Sequence, residues 1–103
     1  MGYKLQISKD AHEDIADIVR YMALELKNPQ AASGFLDDVE ASYMRVVDNP
    51  SIYSLCNDER LERMGYRKVV IKNYLILYCV DEDNKAVYIV RVVYGGRNYP
   101  EIL

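Results

Sequence analysis

The spacing of apolar residues changes once along this chain, and that change limits the folds open to it. From Ala11 to Val47 they recur every three or four positions; from Tyr66 onward they alternate or run continuously. The first spacing belongs to helices with one buried stripe, the second to strands. Ala11, Ile15, Ile18, Val19, Met22 and Leu26 predict a helix over 9–27, about 28 Å long at 1.5 Å per residue. Ser8 stands as its N-cap, with Asp10, Glu13 and Asp14 in the first turns, where the helix dipole favours acid. Asn28-Pro29 is a second start signal. Ala32, Phe35, Leu36, Val39, Tyr43, Val46 and Val47 then predict a helix over 30–48, stopped at Asn49-Pro50. So short a connection makes the two helices an antiparallel hairpin.

Strands occupy the rest. Tyr3–Ile7 alternates and reads as a short first strand; Tyr66–Lys72, Tyr74–Val80 and Ala86–Tyr94 read as an antiparallel meander. The middle run is apolar almost throughout, as in a central strand covered on both faces. Residues 49–65 form an irregular stretch, long for a compact domain, of the kind that carries function or holds a short helical turn. The expected order is β-α-α-β-β-β: a single α+β domain over 1–103, with a small antiparallel sheet packed on an N-terminal helical hairpin.

Composition narrows the function classes. Half of the 103 residues are apolar and 28% are charged, which excludes disorder. The net charge of −3 excludes a strongly basic nucleic-acid module as a description of the whole chain. The charge is unevenly spread: residues 1–64 carry a net −5 and residues 65–103 a net +2. Positive charge therefore gathers where the chain turns strand-like, together with several of the ten tyrosines. Cys56 and Cys79 form no CxxC pair and have no nearby His, which argues against zinc. No signal peptide and no membrane span is read, and a cytoplasmic location is expected.

Few residues suggest chemistry outright. His12, the single histidine, reads as a solvated surface residue. Asp10, Glu13, Asp14 and Asp17 read as a solvated helix face, with nothing apolar or cationic near enough to perturb them. Arg67, Lys68, Lys72, Arg91 and Arg97 lie on or beside the meander and are the candidate binding residues. By strict alternation Arg91 shares a strand face with Val87, Ile89 and Val93, while Tyr88, Val90, Val92 and Tyr94 share the other. A lone Arg on an apolar face needs a carboxylate or carbonyl partner, so a structural role for it is weighed beside a ligand role. Tyrosines interleaved with cations suit base stacking and phosphate contact, and equally suit strand formation.

The segment Tyr66-Arg67-Lys68, Asn73-Tyr74-Leu75-Ile76-Leu77-Tyr78-Cys79-Val80-Asp81, Val87-Tyr88-Ile89-Val90-Arg91-Val92-Val93-Tyr94-Gly95-Gly96-Arg97 and the short apolar tail resemble the RelE/ParE superfamily, the toxins of type II toxin–antitoxin systems (plasmid-stabilisation or addiction-module toxins). The resemblance is specific over 66–103 and follows the pattern of elements over the rest. It implies a growth-arresting toxin neutralised by a cognate antitoxin, with operator DNA bound only through that antitoxin, no cofactor and no metal. Two targets are implied by the two branches: DNA gyrase, as for ParE-like members, or the ribosome and mRNA, as for metal-independent RelE-like endoribonucleases. Carried over residue by residue, Lys68 stands for a basic residue before the central strand and Arg97 for the Arg after the last strand. Leu75 stands where RelE-like nucleases often have Arg. Tyr94 and Tyr99 are the candidate proton donors, which completes the catalytic set Lys68, Tyr94, Arg97 and Tyr99. The missing central Arg favours the gyrase branch. The alternatives are the ribosome-dependent nuclease and an attenuated toxin that only binds its antitoxin.

Overall fold

The structure is a computed structural model and describes residues 2–96 and residue 100. The elements run β1 (Lys4–Ile7), α1 (Lys9–Arg20), α2 (Pro29–Asp48), α3 (Glu59–Arg63), β2 (Arg67–Ile71), β3 (Tyr74–Asp81) and β4 (Ala86–Tyr94). The helices pack on a four-stranded sheet of order β1-β4-β3-β2, the two-layer α+β arrangement expected from the periodicity. Strands β2, β3 and β4 form the antiparallel meander. β1 joins its edge parallel to β4, with Lys4 opposite Ala86 and Ile7 opposite Ile89.

Each helix starts where its caps dictate. The Ser8 hydroxyl accepts the Ala11 N–H at 2.9 Å, and the Asn28 side chain accepts the Ala31 N–H at 3.0 Å. Pro29 fills the first turn of α2. The helix expected over 9–27 keeps α geometry only to Arg20. A π-helical turn, Tyr21–Glu25, then leads through Leu26 into the connection. In the 49–65 stretch Asp58 caps α3, accepting the Leu61 N–H at 3.0 Å.

The sheet buries both faces. On the helix side Val69, Ile76, Tyr78, Val87, Ile89 and Val92 meet Ala11, Met22, Phe35, Val39 and Val46. On the far side Leu61 of α3 and Cys56 of the preceding loop cover Leu75, Leu77 and Val93. That second cluster explains the unbroken apolar run of β3: alternate residues serve two cores. Cys56 and Cys79 are both free.

One break in the ladder corrects the face assignment made from strict alternation. Leu77 pairs with Arg91, but Tyr78 pairs with Ile89, so Val90 is an extra residue on β4. This bulge shifts the strand by one position. Val92, not Val93, therefore joins Val87 and Ile89 on the helix side, and Val93 faces the far cluster.

Candidate functional site

Cross-strand partners share a face of a sheet, so the register sorts the candidate residues. One far-side row reads Lys68–Leu77–Arg91 and the next Val70–Leu75–Val93. Two helix-side rows read Arg67–Tyr78–Ile89 and Ile71–Tyr74–Tyr94. Adjacent residues Arg67 and Lys68 thus point to opposite faces, and so do Lys68 and Tyr94.

Lys68 is the cation of the far face. It stands partly buried beside Leu77, and its N–H donates to the Ser54 carbonyl at 3.2 Å. Burial pushes the Cys56 thiol up, and the positive charge of Lys68 partly opposes that shift, which places the two side chains within electrostatic reach. Next to Lys68 along the same edge, Val70 is 63% exposed. The combination is one charge beside one exposed apolar side chain.

The other basic residues are engaged elsewhere. Arg67 Nη1 donates to the Tyr53 carbonyl at 2.6 Å, and Leu55 bridges to Arg67, so this guanidinium holds the 49–58 loop against the sheet. Beneath it Tyr78 is fully buried and its hydroxyl donates to the Pro50 carbonyl at 2.8 Å. Burial pushes the Tyr78 hydroxyl up to about 12, against the opposing charge of Arg67. Lys72 opens the two-residue turn between β2 and β3 with φ of 54°, in the left-handed region, and is exposed. Tyr94 lies at the helix-side end of β4, its ring 5.9 Å from that of Tyr74, which in turn meets Phe35 at 5.3 Å. Arg97 and Tyr99 lie outside the described residues.

Arg91 makes a two-pronged ion pair with α1. Its Nε and Nη2 donate to the two carboxylate oxygens of Asp14 at 2.7 and 2.9 Å. The same Asp14 accepts the Val92 N–H at 2.9 Å. Hydrogen bonding to Asp14 is the largest cause of the raised Arg91 pKa. The reading of Asp14 as part of a solvated acidic face is therefore corrected: both side chains are largely buried, and the pair ties α1 to β4. Asp10, Glu13, Asp17 and His12 are exposed. The signal for Asp14 was present in the sequence, because a lone Arg on an apolar strand requires a carboxylate from another element.

The arrangement supplies charge and apolar contact, and of the candidate acid–base set it describes Lys68 and Tyr94, which it sets apart. Lys68 and Tyr94 are on opposite faces, Arg67 and Arg91 are held by internal acceptors, and Leu75 fills the central far-side position.

Fold and site together define a small two-layer domain of the kind shared by the RelE and ParE toxins. Among solved structures, the chromosomal ParDE toxin–antitoxin system of P. aeruginosa is similar with a TM-score of 0.70 at 16% identity, covering 89% of this chain and 95% of that one. A variant of the E. coli toxin RelE in the free state is similar with a TM-score of 0.69 at 13% identity, covering 99% and 93%. The RelBE2 toxin–antitoxin complex of Mycobacterium tuberculosis gives 0.63 at 18% identity, covering 91% and 99%. No curated protein matches the chain by sequence. Residues 5–99 match the family described as ParE toxin of type II toxin-antitoxin system, parDE, and the chain belongs to that family.

Proposed function

We propose that this toxin arrests growth by protein contact, with DNA gyrase as its target, and that a cognate antitoxin neutralises it. One observation carries the reading: Lys68 and Tyr94, the members of the candidate catalytic set among the described residues, occupy opposite faces of the sheet. General acid–base cleavage needs both groups within hydrogen-bond reach of one phosphodiester. The far face instead offers Lys68 beside the exposed Val70, a charge next to an apolar side chain, as a protein partner would use. The family match supports the same branch. An antitoxin partner is supported by the RelBE2 complex among the similar structures. Lys68, Lys72 and Arg97 are the residues we assign to partner contact.

The test is regulated expression of the chain alone, with transcript 5′-end mapping and an assay of gyrase supercoiling by the purified protein. The expected result is growth arrest, inhibited supercoiling and no codon-phased cuts. Codon-phased cuts lost in Arg97→Ala would replace this reading with the ribosome-dependent nuclease. Normal growth with unaffected gyrase would leave antitoxin binding as the remaining activity.

A further inference from the structure

β2 ends the sheet on the side away from β1, and the loop before α3 covers only its first residues. Leu55 bridges to Arg67, the Cys56 N–H donates to the Tyr66 carbonyl at 2.9 Å, and the Lys68 N–H donates to the Ser54 carbonyl at 3.2 Å. These bonds show which backbone groups face away from β3. Strand backbone groups alternate sides, so after Lys68 the next residue to face outward is Val70. The Lys68 C=O and the N–H and C=O of Val70 therefore point away from the sheet. Among the described residues none of the three has a partner.

The side chains along this edge have a definite chemistry. Val70 is the exposed apolar residue at its centre, and it shares the far face with Lys68 two positions before it. Lys72 follows two positions after it. Residues 66–73 carry Arg67, Lys68 and Lys72 and no acid. Among the described residues no carboxylate pairs with any of the three. Asp58, whose charge acts on Cys56 as that of Lys68 does, is engaged by the Leu61 N–H. A second copy of the chain is a poor occupant of this edge. Antiparallel pairing about Val70 would set each Lys68 opposite a Lys72, and like charges directly opposite destabilise a ladder. The same two lysines favour a strand that carries acids at those positions.

We infer that the Lys68–Val70 edge of β2 is a docking site for an extended acidic segment of the target protein, with an apolar side chain beside Val70 and a carboxylate two positions to either side, toward Lys68 and Lys72. The inference rests on the reading of the chain as a toxin acting by protein contact only for the identity of the partner. Main-chain hydrogen bonds to Lys68 and Val70 supply the affinity, and the two lysines select the charge.

The probe is the capped peptide Thr-Glu-Thr-Val-Thr-Glu-Thr, with Thr-Lys-Thr-Val-Thr-Lys-Thr as the control. Amide exchange is followed by NMR on the full chain. The glutamate peptide slows exchange of the Val70 amide at least tenfold and leaves Val69 and Ile71, already in the ladder, unchanged. The lysine peptide does not slow Val70. Val70→Pro removes the outward N–H without touching the ladder to β3, and it abolishes binding. The double variant Lys68→Glu/Lys72→Glu reverses the preference, taking the lysine peptide and refusing the glutamate one, and serves if Val70→Pro fails to fold. The same double variant loses inhibition of gyrase supercoiling. Unchanged Val70 exchange at saturating glutamate peptide, or equal binding of the two peptides, overturns the proposal. Val70 protection in the free chain that grows with protein concentration assigns the edge to a second copy and also overturns it. So does a double variant that inhibits gyrase as well as the unaltered chain, because the edge then serves some other partner. An unaltered chain that fails to inhibit gyrase counts against gyrase and not against peptide binding at the edge, so the two readings fail separately.

Discussion

Asp14 meets three donors that belong to β4: two from Arg91 and one from the backbone of Val92. A carboxylate so placed is stabilised by charge-assisted bonds, and removing it strands a largely buried guanidinium together with an open N–H. Asp14→Ala should therefore destabilise the protein by about 2–3 kcal/mol, toward the low end for a buried pair because some solvent reaches both groups. Arg91→Met should cost a similar amount. The double variant should cost at least about 1 kcal/mol less than the two single effects combined, because neither charge is then left alone. Urea denaturation of the four proteins measures this coupling, and strictly additive costs would show that the pair is not a unit. Lys68 contrasts with Arg91. No carboxylate among the described residues pairs with it, and this leaves it available to a partner where Arg91 is not.

At the scale of elements, the start of α1 and the bulge of β4 are one construction. β1 ends opposite Ile89, just before the bulge, and beyond it Ser8 and Asp14 take two backbone groups of β4 that no strand reaches. Ser8 does this while capping α1, so its hydroxyl accepts from Ala11 and donates to Val90 at once. Ser8→Ala should lose both bonds and about 1–2 kcal/mol. Ser8→Thr should retain stability. Ser8→Asp can cap the helix but cannot donate to Val90, so it should be nearly as unstable as the alanine variant; thermal melts of the three separate capping from the second bond. The periodicity made the helices, the meander and the layer order legible, because each depends on residues near in sequence. The need of Arg91 for a partner was legible, but the bulge, the parallel placement of β1 and the choice of Asp14 as that partner were not. The placement of β1 and the ion pair depend on contacts about eighty positions apart, set only once the hairpin lies on the sheet. The same bulge put Val92 and Val93 on unexpected faces, since one inserted residue inverts all that follows. The candidate site was legible in its residue types but not in its geometry. Adjacent Arg67 and Lys68 had to diverge, yet which of them faced a loop carbonyl depended on where residues 49–58 settled.

For the molecule as a whole, the abundance of tyrosine has a consequence that pH can read. Tyr78 sits at the centre of the sheet beneath the loop, and Tyr43 lies on α2 with its hydroxyl oxygen buried and without a partner among the described residues. Burial pushes both hydroxyls up to about 12, from the ordinary value near 10. In the unfolded chain both ionise near 10, while the folded chain still holds their protons. Stability is therefore present in full below pH 10 and is lost as pH climbs from 10 toward 12, because the unfolded state sheds protons that the folded state keeps. Absorbance of tyrosinate near 295 nm and far-ultraviolet circular dichroism, followed together, should show a late ionisation step coincident with loss of structure. Tyr43→Phe isolates one contribution. It removes an unsatisfied hydroxyl, so stability at neutral pH should hold or rise by up to about 1 kcal/mol, and the alkaline midpoint should move upward. Tyr78→Phe should instead lower neutral stability by about 1 kcal/mol, because the Pro50 carbonyl then loses its donor in the interior. An alkaline midpoint that does not move in Tyr43→Phe would mean that the hydroxyl is already solvated, and that α2 packs less closely on the sheet than its buried residues require.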